Sequence, residues 1–294
     1  YFLGVGFPMT RKKWCLIGAA VLGLGIAGIS ASINPIAERY VAPMVQEQLH
    51  NTVRGTIQYD SIHVTWDGDI ELQNVSLRDE SNHLVADVPT MNVSMKWSSV
   101  PSIVMGNSSG AAVVSTITLD KPDIHVWQLA DGSWNVNSLL KPSPKSDKKS
   151  FDGNIVINDA TSVIRFKDGN VHRLAKLDGN IALNLDGMTK GVLNGLLDDH
   201  SIAINGSVDM NKMDDFDLFV QADAVDVSGI MNLAPTNKNL SVTAGVLHDV
   251  KAQITSRDGK YSMSGNLAFD GVDGTYKNGS TTYQISKGNG KIFF

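Results

Sequence analysis

The sequence predicts a mostly-β chain carried on an N-terminal transmembrane helix and a short amphipathic helix. Three observations predict it. An uncharged apolar run covers 15–33, helical spacing follows directly, and from Gly55 onward short apolar alternations of period two are broken by Asp-Gly and Asn-Gly pairs. Hairpin punctuation of this kind joins neighbours in sequence, so the sheet is expected to be antiparallel, elongated and twisted.

The first 13 residues read as a cytoplasmic stub, with Arg11, Lys12 and Lys13 before the anchor at 14–33. Cys15 to Ile33 holds no charge and no proline, and as a helix it would reach about 28 Å, the depth of a hydrocarbon core. The basic cluster precedes the run, so the N-terminus is expected in the cytoplasm and the remainder on the far side of the membrane. The rival reading is a cleaved signal peptide with Ser30-Ala31-Ser32 as its cleavage site, but signal cores run to about 15 residues and this one is longer. Gly23, Gly25 and Gly28 spell a dinucleotide-binding fingerprint, yet no strand precedes them, and small residues in a membrane helix account for them. Tyr1–Pro8 reads as lying upstream of a start at Met9. Gly290–Phe294 stops in a strand pattern with no closing turn, so the chain is expected to be part of a longer protein.

Residues 34–54 form the predicted juxtamembrane helix, with Asn34 as N-cap, Pro35 at the first position, and Ile36, Tyr40, Met44 and Leu49 at helical spacing. Lipid contact and packing on the first strands are both open for it. A first β region follows over 55–140. Ile57 and Tyr59, Ile62 to Trp66, Ile70 and Leu72, and Val75 and Leu77 alternate there, most cleanly at Met91, Val93, Met95 and Trp97. Residues 141–150, rich in Lys, Ser and Pro, read as a linker or loop, and 151–294 as a second β region. Hairpin turns are expected at Asp67-Gly68, Asp152-Gly153, Asp168-Gly169, Asp178-Gly179, Asp186-Gly187, Asn205-Gly206, Asp258-Gly259 and Asn278-Gly279. A weak repeat recurs at Gly153, Gly179, Gly206 and Gly265, each glycine read as a turn followed by an alternating strand.

Net charge of −5 supplies no basic footprint, so no nucleic-acid partner is expected. The single cysteine, Cys15, lies in the anchor, so the exported part has no disulfide framework. The seven histidines are scattered without metal-ligand spacing, and no metal or cofactor is expected. There is no nucleophile elbow and no phosphate loop. The clusters Asp67/Asp69 and Asp214/Asp215/Asp217 lack the glycine and glutamate of a calcium loop and read as turn and edge carboxylates. No enzyme is expected. Trp66, Trp97, Trp127 and Trp134 read first as strand core, with ligand contact as the rival.

Two stretches are more specific. Ile117-Thr-Leu-Asp-Lys-Pro-Asp-Ile-His-Val-Trp127, then Asp131-Gly-Ser-Trp-Asn-Val-Asn-Ser-Leu-Leu140, resembles the AsmA/TamB-like envelope proteins, in which a strand with an internal proline precedes a turn of the form Asp-Gly-x-Trp-Asn…Leu-Leu. The order of anchor, collar, Thr56–Asp79, Leu84–Pro89 and Met91–Trp97 is similar to that family's opening, and Asn154–Asp168 resembles its recurrent strand unit. The resemblance covers about residues 10–185. It implies an inner-membrane-anchored periplasmic protein of bacteria, related to bridge-like lipid transfer proteins, with a U-shaped β-groove and phospholipid as its cargo. It carries no catalytic residues over.

Under that resemblance the groove candidates are Met91, Val93, Met95, Ile155, Ile157, Ile181, Leu183, Leu185, Phe216, Leu218 and Val220. From the alternation alone they read as the buried face of an ordinary sandwich; the resemblance favours the groove. Two other roles stay open: an assembly factor for outer-membrane proteins, which would make such a protein the partner, and a passive envelope scaffold.

Overall fold

The computed structural model describes residues 54–65, 69–95, 114–139, 152–184, 187–227, 240–278 and 281–293. The anchor (14–33), most of the collar, Trp66, Trp97, Leu185 and the 141–150 segment lie outside these. Among the described residues no helix is long and apolar enough to cross a membrane.

Among the described residues fourteen strands form one sheet. The first part contains β1 (Thr56–Gln58), β2 (Ser61–Val64), β3 (Ile70–Arg78), β4 (Leu84–Met95), β5 (Val114–Asp120) and β6 (Asp123–Trp127). The second contains β7 (Asp152–Arg165), β8 (Val171–Asn184), β9 (Met188–Leu197), β10 (His200–Asp209), β11 (Lys212–Asp226), β12 (Leu240–Arg257), β13 (Lys260–Asn278) and β14 (Thr281–Phe293). β1 and β2 share the edge of β3, and β5 and β6 are two halves of one path between β4 and β7. From β7 to β14 each strand pairs antiparallel with the next in sequence.

The sheet is mixed, which corrects the antiparallel expectation. β5 and β6 both pair with β7 in parallel, at one constant register from Thr116↔Asn154 to Trp127↔Arg165. A parallel neighbour requires the chain to cross back over the sheet, and the alternation within each strand carries no sign of that return. Residues 128–139 are the described start of it. They make a tight turn, a bridge between Gln128 and Trp134, and one 3-10 turn at Asn135–Ser138. Strands on both sides of 141–150 therefore belong to one sheet.

A crease runs across the first half. Asn74, Lys121 and Asp159 all have φ near +50°, and the register sets Asn74 opposite Pro89, Pro89 opposite Lys121, and Lys121 beside Asp159. Along this line each strand changes which alternate positions it buries: Ile70 and Leu72 give way to Val75 and Leu77, Met91 and Val93 to Val88 and Ala86, and Ile155 and Ile157 to Ala160 and Ser162. At Asp159 the register with β8 also shifts, as in a bulge, which bends a sheet. The Asp159 N–H, displaced from the ladder, donates to Asp178 Oδ1 at 2.8 Å.

Of the eight expected turns, Asp67-Gly68 lies outside the described residues, as do Asp186 of Asp186-Gly187 and Gly279 of Asn278-Gly279, and the other five divide. Asp168-Gly169 and Asp258-Gly259 are turns, the second with φ of 49° and 74° in a two-residue hairpin loop. Asp152-Gly153, Asp178-Gly179 and Asn205-Gly206 instead lie inside β7, β8 and β10. All four glycines of the weak repeat sit within strands, so their reading as turn residues is corrected. The β9–β10 turn is made by Asp198 and Asp199, both left-handed without being glycine.

Candidate functional site: an apolar sheet face

Cross-strand register builds the site. Residues directly opposite in a ladder project to the same face. One row runs Ile70–Val93–Ile117–Ile155–Ile181 and continues Gly191–Gly206–Leu218–Ile254–Met263. At the usual strand spacing these ten positions span on the order of 40 Å. A second row lies beside it, Leu72–Met91–Leu119–Ile157–Gly179 and then Leu193–Ile204–Val220–Ala252–Gly265. A third joins Leu183, Thr189, Val208, Phe216, Ser256 and Tyr261. None of these positions carries a charge. The opposite face reads Glu71–Asn92–Thr118–Val156–Asn180 and Val192–Asn205–Phe219–Gln253–Ser264, largely polar.

Of the groove candidates, Met91, Val93, Ile155, Ile157, Ile181, Leu183, Phe216, Leu218 and Val220 all fall on these three rows. Met95 continues β4, where its backbone pairs with Val114, and Leu185 lies outside the described residues. Burial separates the nine. Val93 and Ile155 are 0% exposed and Ile181 is 1%, whereas Phe216, Leu218 and Val220 are half-buried and Met263, at the end of the first row, is 58% exposed. The apolar face is thus core from β3 to β8; over β9–β12 its first two rows are half-buried, while Thr189, Val208 and Ser256 of the third row are buried.

The crossover explains part of the covered side. Trp134, Val136 and Leu139 belong to the same buried cluster as the β3–β8 face. Trp134 meets Phe166 edge-to-face at 5.2 Å, and the Leu139 carbonyl accepts the Arg54 N–H at 2.7 Å, tying the crossover to the chain just before β1. The Asp-Gly-x-Trp-Asn stretch supplies each step. Asp131 Oδ1 accepts from the Ser133 N–H and hydroxyl, and these bonds hold its carboxyl below the usual carboxylate range. Gly132 takes φ of 85°, Trp134 turns into the core, and Asn135 acts as a surrogate strand. Its Oδ1 accepts the Trp127 N–H at 2.9 Å and its Nδ2 donates to the His125 carbonyl at 3.0 Å. Asn135 was not singled out from sequence, because a buried asparagine has no pattern before its partners are known. Trp134 is core, Trp127 half-buried.

The carboxylate clusters are engaged in the fold. Asp215 Oδ1 accepts the Asp258 N–H, Asp217 Oδ1 accepts from Gln253 Nε2, and Asp69 Oδ2 accepts from the Ser94 hydroxyl. Among the described residues no three metal-ligating side chains converge. A cavity of about 400 Å³ opens at the strand ends of β8–β12, with His172, Asp198, His200 and Asp226 in its lining. His172 Nδ1 pairs with Asp198 Oδ2, its Nε2 is buried with no hydrogen-bond partner, and its ring packs edge-on against Phe166. Among the described residues no serine, threonine or cysteine lines that cavity.

The chain matches no family model and no curated protein.

Proposed function

We propose that this protein conducts phospholipid along the half-exposed part of its apolar face. In this reading it is an inner-membrane-anchored periplasmic protein of the AsmA/TamB-like kind, with the sheet as a U-shaped groove. One observation carries the proposal: an in-register apolar face without a charge, closed over β3–β8 and half-exposed along its first two rows over β9–β12. Each methylene exposed to water costs about 0.8 kcal/mol, so a sixteen-carbon chain represents on the order of 12 kcal/mol and needs continuous apolar cover to cross water. A row of half-exposed Leu193, Ile204, Leu218, Val220 and Ile254 offers that cover, and the polar opposite face keeps the sheet wetted. The role calls for no catalytic residue and no cofactor.

The buried candidates support the groove from beneath, and the open ones would touch the cargo. A charge at Val93 or Leu183 would therefore unfold the sheet rather than block transport. Leu218→Asp, at a half-exposed position, separates the two effects. The full chain, purified in mild detergent, is expected to carry phospholipid in native mass spectrometry. Leu218→Asp is expected to remain folded and lose it. A folded wild-type protein free of lipid would overturn the proposal.

A second reading, templating of outer-membrane protein strands, draws on β14. Tyr283, Ile292 and Phe293 are exposed there, and such an edge suits strand addition. Proline placed at alternate positions of β14 would impair that role and spare lipid binding.

A further inference from the structure

The cavity at the strand ends of β8–β12 has carboxylates in its wall and no cation beside them. Asp198 and Asp226 line it with His172 and His200, and among the described residues no lysine or arginine does. Its field therefore draws a cation and turns away an anion. The His172–Asp198 pair adds a second requirement. Asp198 Oδ1 accepts the Arg173 N–H at 2.8 Å, and its Oδ2 pairs with His172 Nδ1. A carboxylate only accepts, so Nδ1 carries the proton, and in the neutral imidazole Nε2 keeps a lone pair. That nitrogen is buried without a hydrogen-bond partner, in a side chain of the cavity wall. The wall thus calls for a donor with positive charge. A metal ion does not meet the call, because among the described residues no three ligating side chains converge.

We infer that this cavity is an ammonium-binding site, and that the group it takes is the headgroup amine of a phospholipid. The inference rests on the lipid reading above for the source of the amine and adds headgroup choice to it. Position supports the assignment. On β9 and β10 the apolar face steps from Leu193–Ile204 to Gly195–Ile202 and then to Leu197–His200, where the cavity begins. Those two steps cover about 13 Å, within the reach of one amphiphile with its hydrocarbon on the rows and its polar end in the cavity. A volume of about 400 Å³ suits a headgroup and not a whole phospholipid. Leu197 and Val225 stand in the wall beside the carboxylates. They suit the two methylenes of an ethanolamine arm, while its ammonium donates to carboxylate and imidazole. A headgroup whose only charge is its phosphate brings the wrong sign and no cationic donor.

The test is calorimetric titration of the full chain in mild detergent with three probes: dihexanoyl phosphatidylethanolamine, dihexanoyl phosphatidylglycerol, and glycerophosphoethanolamine, which is the headgroup without chains. Wild type is expected to bind the ethanolamine lipid roughly 5-fold tighter than the glycerol lipid, the effect of one charge pair in a wetted site. Asp226→Asn and His172→Asn are each expected to weaken ethanolamine-lipid binding until the two lipids bind alike. Asparagine at 172 keeps a donor for Asp198 and lacks Nε2. Should His172→Asn fail to fold, Asp226→Asn, isosteric and at an exposed position, decides alone. Equal affinity of wild type for the two lipids, or a preference that Asp226→Asn keeps, overturns the site and leaves the lipid reading standing. Binding of glycerophosphoethanolamine alone, lost in Asp226→Asn, upholds the ammonium site and overturns the lipid as its source. Binding of none of the three overturns both.

Discussion

Replacing isoleucine by alanine at successive points of one register row should trace the boundary between closed and open sheet. Ile117, Ile155 and Ile181 are adjacent in that row and wholly buried, and Ile254 stands further along it, half-exposed. The substitution removes three carbons, about 2.4 kcal/mol of transfer energy at 0.8 kcal/mol each, and in a closed core it leaves a cavity that raises the loss to about 3–4 kcal/mol. At Ile254 part of that surface already meets solvent and no closed cavity forms, so about 1 kcal/mol is expected. Urea unfolding of the full chain in mild detergent, followed by far-UV circular dichroism, gives the difference from the midpoint at unchanged slope. The expected pattern is three large losses and one small one. Equal losses at Ile155 and Ile254 would refute the division of the face into a covered and an open part.

Asn135→Ala should cost about 2–4 kcal/mol, since it leaves the Trp127 N–H and the His125 carbonyl without their partner in a buried setting. The same denaturation assay reads it, and a loss below about 0.5 kcal/mol would mean that water replaces the amide. Burial raises the Tyr59 hydroxyl above its ordinary pKa. The folded state thus favours the neutral phenol. Its contribution is complete below the ordinary tyrosine value and is lost as pH rises through the raised one, so Tyr59→Phe should flatten the fall in unfolding midpoint above about pH 10. An unchanged alkaline slope would show that Tyr59 has no part in it.

Much of the sheet was legible because alternation is a direct image of a two-sided strand. Met91 and Val93, Ile155 and Ile157, and Leu218 and Val220 were placed on one face by spacing, and the register joins them on that face. The bends were not legible. Asn74, Lys121 and Asp159 adopt left-handed backbone because neighbouring strands and a carboxylate from the next strand hold them there, and lysine or aspartate gives no such signal by residue type. The turn reading of Asp-Gly and Asn-Gly failed at Gly179 and Gly206 for a related reason. A glycine demanded by a close cross-strand backbone looks, in sequence, like a glycine demanded by a turn. The parallel junction was hidden because strand direction leaves no trace in alternation. The split of the candidates between core and open face depends on what the crossover covers, and that is a tertiary fact.

The hairpin order of β7 to β14 bears on how the sheet can lengthen. Each strand there depends on its neighbours in sequence, so one up-and-down pair extends the sheet by roughly 10 Å. Such a pair also restores the direction of the leading strand. The side facing inward at the junction therefore stays inward, and the contacts already made elsewhere are untouched. Duplication or loss of a pair changes reach without redesigning the interior. By contrast, the β5/β6–β7 junction, with its crossover and fixed register, admits no such insertion. A lineage built on this plan can vary in span at one end while the β5/β6–β7 end stays constant.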